Sequence, residues 1–240
     1  MAKKKTIIFL ILRLICIILF PLSYLIDPKY SGEITFFTVQ SNLLVLFVMI
    51  AFSMFDILKL SGKFVSHPDF LYKLKLVSTS AITLTFIVFG IILTPILIID
   101  NLSKVVLSYS SIVMHQIIPI IAILDFLLDD ENQMLKYRYA PITLAFPLYY
   151  FILTLILSKV GVTYPSYENG HRVDAKFPYF FLDYEDNTWF KIIISNNIDE
   201  TKIGVFYWLV LILIIIISIS FLLILLKNLV IYTRNKKQSN

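Results

Sequence analysis

Six apolar runs of hydrocarbon length constrain this chain more than any other feature. A membrane-crossing helix needs roughly 20 mostly apolar residues. The segments Thr6–Ile26, Phe36–Leu58, Leu76–Ile99, Val105–Leu128, Tyr139–Lys159 and Ile203–Leu226 meet that length. Only helices and closed barrels satisfy every backbone N–H and C=O in lipid, and continuous rather than alternating runs exclude barrel strands. With 58% hydrophobic residues in 240, the chain lies above the usage of soluble domains. The expected fold class is all-α, a polytopic membrane bundle of six transmembrane helices forming a single integral membrane domain over residues 1–240.

Lys3-Lys4-Lys5 before an apolar run is how a signal peptide begins. This run reaches Ile26 without a small-x-small cleavage site, so it reads as a retained first span. With the N-terminus in the cytoplasm, thirteen Lys and Arg residues fall inside and seven outside. Cytoplasmic loops carry the excess of Lys and Arg, so both termini are expected inside. The net charge is +5, but no basic block is interleaved with aromatics in the manner of a nucleic-acid surface. Cys16, the only cysteine, leaves no intrachain disulfide and no cysteine metal site. His67 and His171 have no metal-ligand spacing, and neither a phosphate loop nor a serine nucleophile elbow is present. No cofactor, metal or nucleic-acid partner is expected; the partners are membrane lipids.

Polar residues inside spans are where function is sought, because hydrocarbon penalises them. Thr38, Gln40, Ser41 and Asn42 crowd the outer end of the second span, and Ser111 and His115 share a face of the fourth. In the plain reading, these groups tie helices together. In the chemical reading, His115 takes the proton that makes the Thr38 hydroxyl a nucleophile, with Gln40, Asn42 or Ser111 lining the site or donating to an oxyanion. At 1.5 Å per residue, Thr38 lies roughly 5 Å and His115 roughly 10 Å below the outer surface, a gap that closes if the fourth helix starts near Tyr109. Arg13, Asp56 and Asp125 fall at similar depth toward the cytoplasmic side and read as a structural ion pair. The 160–202 connection is long, aromatic and without an evident secondary-structure pattern. Tyr179, Phe180 and Phe181 in it are candidates for a lid, folded with Pro178–Asp183 over the outer ends of the second and fourth helices, or for an interfacial aromatic belt.

Phe37-Thr38 opening the second span, Met114-His115-Gln116-Ile117-Ile118-Pro119 in the fourth, and Pro178-Tyr179-Phe180-Phe181-Leu182 in the outer loop together resemble the androgen-induced-protein family. The stretch Thr38-Val39-Gln40-Ser41-Asn42-Leu43-Leu44-Val45 is similar to bacterial integral membrane members of that kind. The resemblance implies six spans, a bacterial plasma membrane and hydrolysis of lipid acyl esters, with Thr38 as nucleophile and His115 as general base. Thr35, three residues before Thr38, has a spacing that suits the same role. Acyl transfer by the same pair, and a non-enzymatic lipid-binding or transport protein with His115 as a helix tie, are the alternatives.

Overall fold

Helix ends in this protein follow local chemistry more closely than hydropathy. The computed structural model describes residues 2–26, 33–63, 66–99, 103–129, 133–168, 171–187, 189–193 and 202–239. Among them, six helices are long and apolar enough to cross a membrane: Lys4–Ile26, Phe37–Leu60, Asp69–Leu93, Tyr109–Leu128, Tyr137–Lys159 and Val205–Lys237. The fourth starts at Tyr109, not Val105, because Ser108 caps it, its Oγ accepting the Ser111 N–H at 3.3 Å. Ser103–Val106 is a separate turn. The third helix reaches back to Asp69, and the sixth runs on through Lys227 to Ser239. Lysines that hydropathy treats as span ends continue a helix once they find partners. The second and fifth helices end on Gly62 and Gly161 at φ +86° and +83°. Each glycine N–H and the N–H after it bond back to the last turn (Gly62 to Lys59 O, Lys63 to Leu58 O; Gly161 to Ser158 O, Val162 to Leu157 O). That double closure satisfies orphan carbonyls and needs a residue that tolerates positive φ.

Consecutive helices alternate in direction. Early residues of the even helices therefore share a level with late residues of the odd ones. Hydroxyl pairs tie neighbours within the bundle: Ser41 with Thr85 at 2.9 Å, and Thr143 with Ser220 at 2.6 Å, which in turn donates to Ser80 at 3.1 Å. Cys16 is buried in a cluster with Val45, Met49 and Ile118.

At the end that holds the chain termini, charges from five helices meet. Arg13 bonds Asp125 at 2.8 Å and Asp56 at 2.5 Å, so it joins both candidate acids and not one. Lys75 bridges Asp125 at 2.9 Å and Asp129 at 2.6 Å, and Lys227 donates to Asp129. Phe52 lies beneath two of the cations, 4.5 Å from Lys75 Nζ and 5.2 Å from the Arg13 guanidinium, an arrangement that favours desolvated cations. Three cations and three carboxylates neutralise one another where isolated charges would be prohibitive. Lys75 and Lys227 thus belong to the interior and not to the loops that set orientation. Asp129 sits just past the fourth span. Burial alone would raise its carboxyl, but Lys75 and Lys227 outweigh burial and hold it below the usual carboxylate range. Arg234 closes the helix end by donating to the Asp129 and Leu128 carbonyls at 2.9 and 3.2 Å.

The described parts of the 160–202 connection hold two strand pairs that its sequence pattern does not suggest. Tyr164–Glu168 and His171–Ala175 pair as antiparallel strands, flanking Asn169-Gly170, a dipeptide favoured in two-residue hairpins. Lys202–Ile203 pairs with Ile192–Ile193.

Candidate functional site

Two prolines shape the other end of the bundle. In the third helix Phe89–Leu93 is a π turn, ending where the Thr94 N–H bonds Phe89 O. In the fourth, Val113–Ile117 is a π turn, ending where the Ile118 N–H bonds Val113 O. Each ends two residues before a proline, Pro95 and Pro119. The reason is local. Ile118 has shifted its bond from Met114 O to Val113 O, and Pro119 has no N–H to offer Met114 in exchange. The Met114 carbonyl is left open, and the Asn42 side-chain amide fills it at 3.1 Å. The same amide donates to Thr38 O at 2.8 Å. Asn42 therefore pins the mouth of the second helix to the bulge of the fourth.

The bulges re-aim two rings. Phe89 and His115 stack with centroids 3.6 Å apart and planes 16° from parallel. On its other edge His115 meets both the second helix and its own. Nε2 lies 3.3 Å from Thr38 Oγ1, and Nδ1 lies 2.9 Å from the Ser111 carbonyl and 3.4 Å from Ser111 Oγ. A carbonyl oxygen only accepts, so the short contact requires the proton on Nδ1. In the neutral ring Nε2 then carries the lone pair, directed at the Thr38 hydroxyl. The late start of the fourth helix brings His115 to the level of Thr38.

Two cavities share Thr38, and His115 lines the larger of them. One, of about 230 Å³, lies among the second, third and fourth helices and holds Ser110, Ser111 and His115 in its wall. The other, of about 60 Å³, lies among the second, third, fifth and sixth helices and is lined by Leu84, Val88, Leu148, Ile212 and similar residues. Thr38, Phe89, Leu93 and Tyr179 belong to both walls.

The chain matches no family model, no curated protein and no solved structure.

The positions singled out in the sequence divide clearly. Thr38, His115 and Ser111 come together at the cavities; Arg13, Asp56 and Asp125 come together at the far end. Gln40 and Asn42 line neither cavity wall, and both amide protons of Asn42 are committed to carbonyls. The lid candidates lie over the site. Pro178, Tyr179 and Phe180 line the larger cavity, and Tyr179, Phe181 and Leu182 line the smaller. Their anchorage differs from the expected one on the second and fourth helices. Tyr179 packs on Phe36 and Tyr150, and Phe180 and Phe181 on Trp208, so the second, fifth and sixth helices carry the segment. Aromatic side chains of those three helices supply the contacts. Phe190 stays 67% exposed and fits the aromatic-belt reading instead. The side chain of His171 lies outside the described residues. Phe89, Lys75 and Lys227 are the functional or structural partners that sequence reasoning missed. For Phe89 the available signal was Pro95, five residues after Gly90 in an otherwise unbroken span. Among the described residues no three His, Cys, Asp or Glu side chains converge as metal ligands.

Proposed function

We propose that this protein is an intramembrane hydrolase of fatty acyl esters, related to the androgen-induced-protein family. Thr38 is its nucleophile and His115 its general base. The observation that carries the reading is the oriented pair: Thr38 Oγ1 3.3 Å from His115 Nε2, with Nδ1 held by the Ser111 carbonyl. Hydroxyl–base contacts of this kind are often loose without substrate, so 3.3 Å is a serviceable resting distance.

The steps follow from those positions. Thr38 Oγ attacks the ester carbonyl carbon as its proton passes to His115 Nε2. The tetrahedral intermediate collapses, His115 returns the proton to the departing alkoxide, and the acyl group is left on Thr38. Water then attacks the acyl-threonine, again through His115, releasing the fatty acid and restoring the hydroxyl. Many hydrolases set a carboxylate behind the base; here a peptide carbonyl orients the imidazole. The imidazolium formed in each half-reaction gains from two neighbours, the Ser111 carbonyl and the face of Phe89, whose ring quadrupole attracts a cation. Tyr179 and its neighbours keep bulk water from the junction, which strengthens electrostatic interactions there.

In this reading both termini lie in the cytoplasm and the site faces the outer leaflet of a bacterial plasma membrane. The support is the bias of basic residues, which persists once Lys75 and Lys227 are set aside.

The test is hydrolysis of long-chain acyl esters by the full-length protein in lipid nanodiscs, together with labelling by a fluorophosphonate probe. Both are expected in the wild type and lost in Thr38→Ala, with the label mapping to Thr38. Thr35→Ala should keep both. Full turnover in Thr38→Ala would remove the proposal.

A further inference from the structure

The two cavities differ in ways that specify a ligand. The smaller is narrow, about 60 Å³ against about 230 Å³, and its wall away from Thr38 is almost wholly hydrocarbon and aromatic. The larger is roomy and carries the polar groups Ser110, Ser111 and His115. Among the described residues, no Lys, Arg, Asp or Glu lines either one. A ligand charge enclosed there would lack a counter-ion, and burying an unpaired charge is strongly unfavourable. Thr38 stands where the two spaces join.

We infer that the paired cavities form one divided site for an uncharged acyl ester. The narrow arm takes a single unbranched acyl chain, and the wide arm takes a neutral, hydroxyl-bearing alcohol. Which arm takes which part follows from shape and polarity. A polymethylene chain has no hydrogen bonds to lose and fits a narrow apolar slot. A glycerol-like alcohol needs width and partners, and the hydroxyls of Ser110 and Ser111 supply them. The scissile carbonyl then falls at the junction beside Thr38 Oγ1. This inference rests on the proposed hydrolase reading for its chemistry, but the divided binding site can be tested without turnover.

Two measurements on the full-length protein in nanodiscs decide it. The first compares 1-acylglycerol with 1-acylglycerol 3-phosphate of the same chain, which differ only in the phosphate placed in the wide arm. The neutral ester should have a kcat/KM at least about tenfold higher; equal or reversed preference overturns the inference. Leu148→Trp and Ile212→Trp, which fill the narrow arm, should move the optimum to shorter chains. Leu97→Trp in the wide arm should leave that optimum in place. An unmoved optimum in the first two variants, with thermal midpoints retained, overturns the assignment of the arms.

The second measurement is binding. Trp208 packs on Phe181 in the narrow arm's wall, so in a Trp189→Phe, Thr38→Ala background its fluorescence should be quenched by 1-acylglycerol brominated along the chain. The brominated phosphate ester should quench little. Absence of quenching by the neutral ester overturns the divided site whether or not the protein hydrolyses esters. Quenching combined with undiminished hydrolysis in Thr38→Ala would overturn the hydrolase reading and leave the site standing.

Discussion

At one end of the bundle Thr38 and His115 face open space with no charged group, among the described residues, in its walls. At the other, Arg13, Lys75 and Lys227 are locked to Asp56, Asp125 and Asp129. Both ends put polar side chains inside helices long and apolar enough to cross a membrane, and by sequence each looks equally costly. The difference lies in how far each group is satisfied from within. In the charged cluster every cation meets at least one carboxylate, and Lys75 and Arg13 meet two. Such a cluster joins five helices and leaves little capacity for anything else. In the cavity site the Thr38 hydroxyl has one long contact, to a ring nitrogen that is itself held on the other side. A polar group that spends all its hydrogen bonds on neighbours is structural; one that keeps a lone pair or proton directed into a cavity is available to a ligand. Asn42 shows that the distinction is residue by residue. It sits one turn from Thr38, yet both of its amide protons are spent on carbonyls.

The largest expected effect separates the two ends by activity. His115→Ala should lower kcat for acyl ester hydrolysis by about 10²–10⁴-fold, the usual worth of a positioned acid–base group, while the thermal midpoint in detergent stays close to wild type. A large fall in midpoint would move His115 to the structural side of the comparison.

Next in size is the converse at the charged end. Asp125→Ala leaves Arg13 and Lys75 short of a shared partner. Removing one member of a buried ionic group typically costs about 3–5 kcal/mol. The variant should unfold well below wild type by thermal or denaturant titration, and whatever fraction remains folded should keep its kcat. A normal midpoint would mean that the cluster does not hold the helices together.

The pH dependence of stability sharpens the same point. Lys75 and Lys227 outweigh burial and hold the Asp129 carboxyl below its usual range, so its folded pKa lies under the unfolded value of about 3.9. A depressed carboxylate contributes stability in full above the unfolded pKa and loses it as pH falls through the folded one. Wild type should therefore exceed Asp129→Asn in unfolding midpoint at pH 5–7, and the margin should shrink only below about pH 4. A margin already gone at pH 5 would contradict the assignment.

The smallest effect tests Phe89. A cation over an aromatic face is worth about 0.5–2 kcal/mol, so Phe89→Leu should reduce kcat by about 2–30-fold with KM little changed. An effect on KM alone would make Phe89 a wall residue and not a support for the imidazolium.

Much of the architecture could be read from residues in order. Six hydrocarbon-length runs dictate helices, because an apolar backbone in lipid has no other partner for its N–H and C=O groups. Thr38 and His115 were visible as polar side chains in the outer halves of adjacent-numbered even spans, and Arg13, Asp56 and Asp125 as charges at one depth. Depth follows from counting residues along a helix, a one-dimensional property.

What lay beyond the sequence depends on rotation and on contacts between helices. Pro95 and Pro119 announce broken helices, but only packing turns the resulting bulges so that Phe89 stacks on His115. Asn42 is consumed because Pro119 strands the Met114 carbonyl seventy-two residues away. Lys75 and Lys227 read as loop cations until Asp129 draws them inside. Tyr179 could have lain in the headgroups; Phe36 and Tyr150 hold it across the two cavities. Sequence determined which groups exist at each level of the membrane. Tertiary structure decided which of them are spent on one another and which are left facing space, since hydrogen bonds and ion pairs are satisfied in three dimensions.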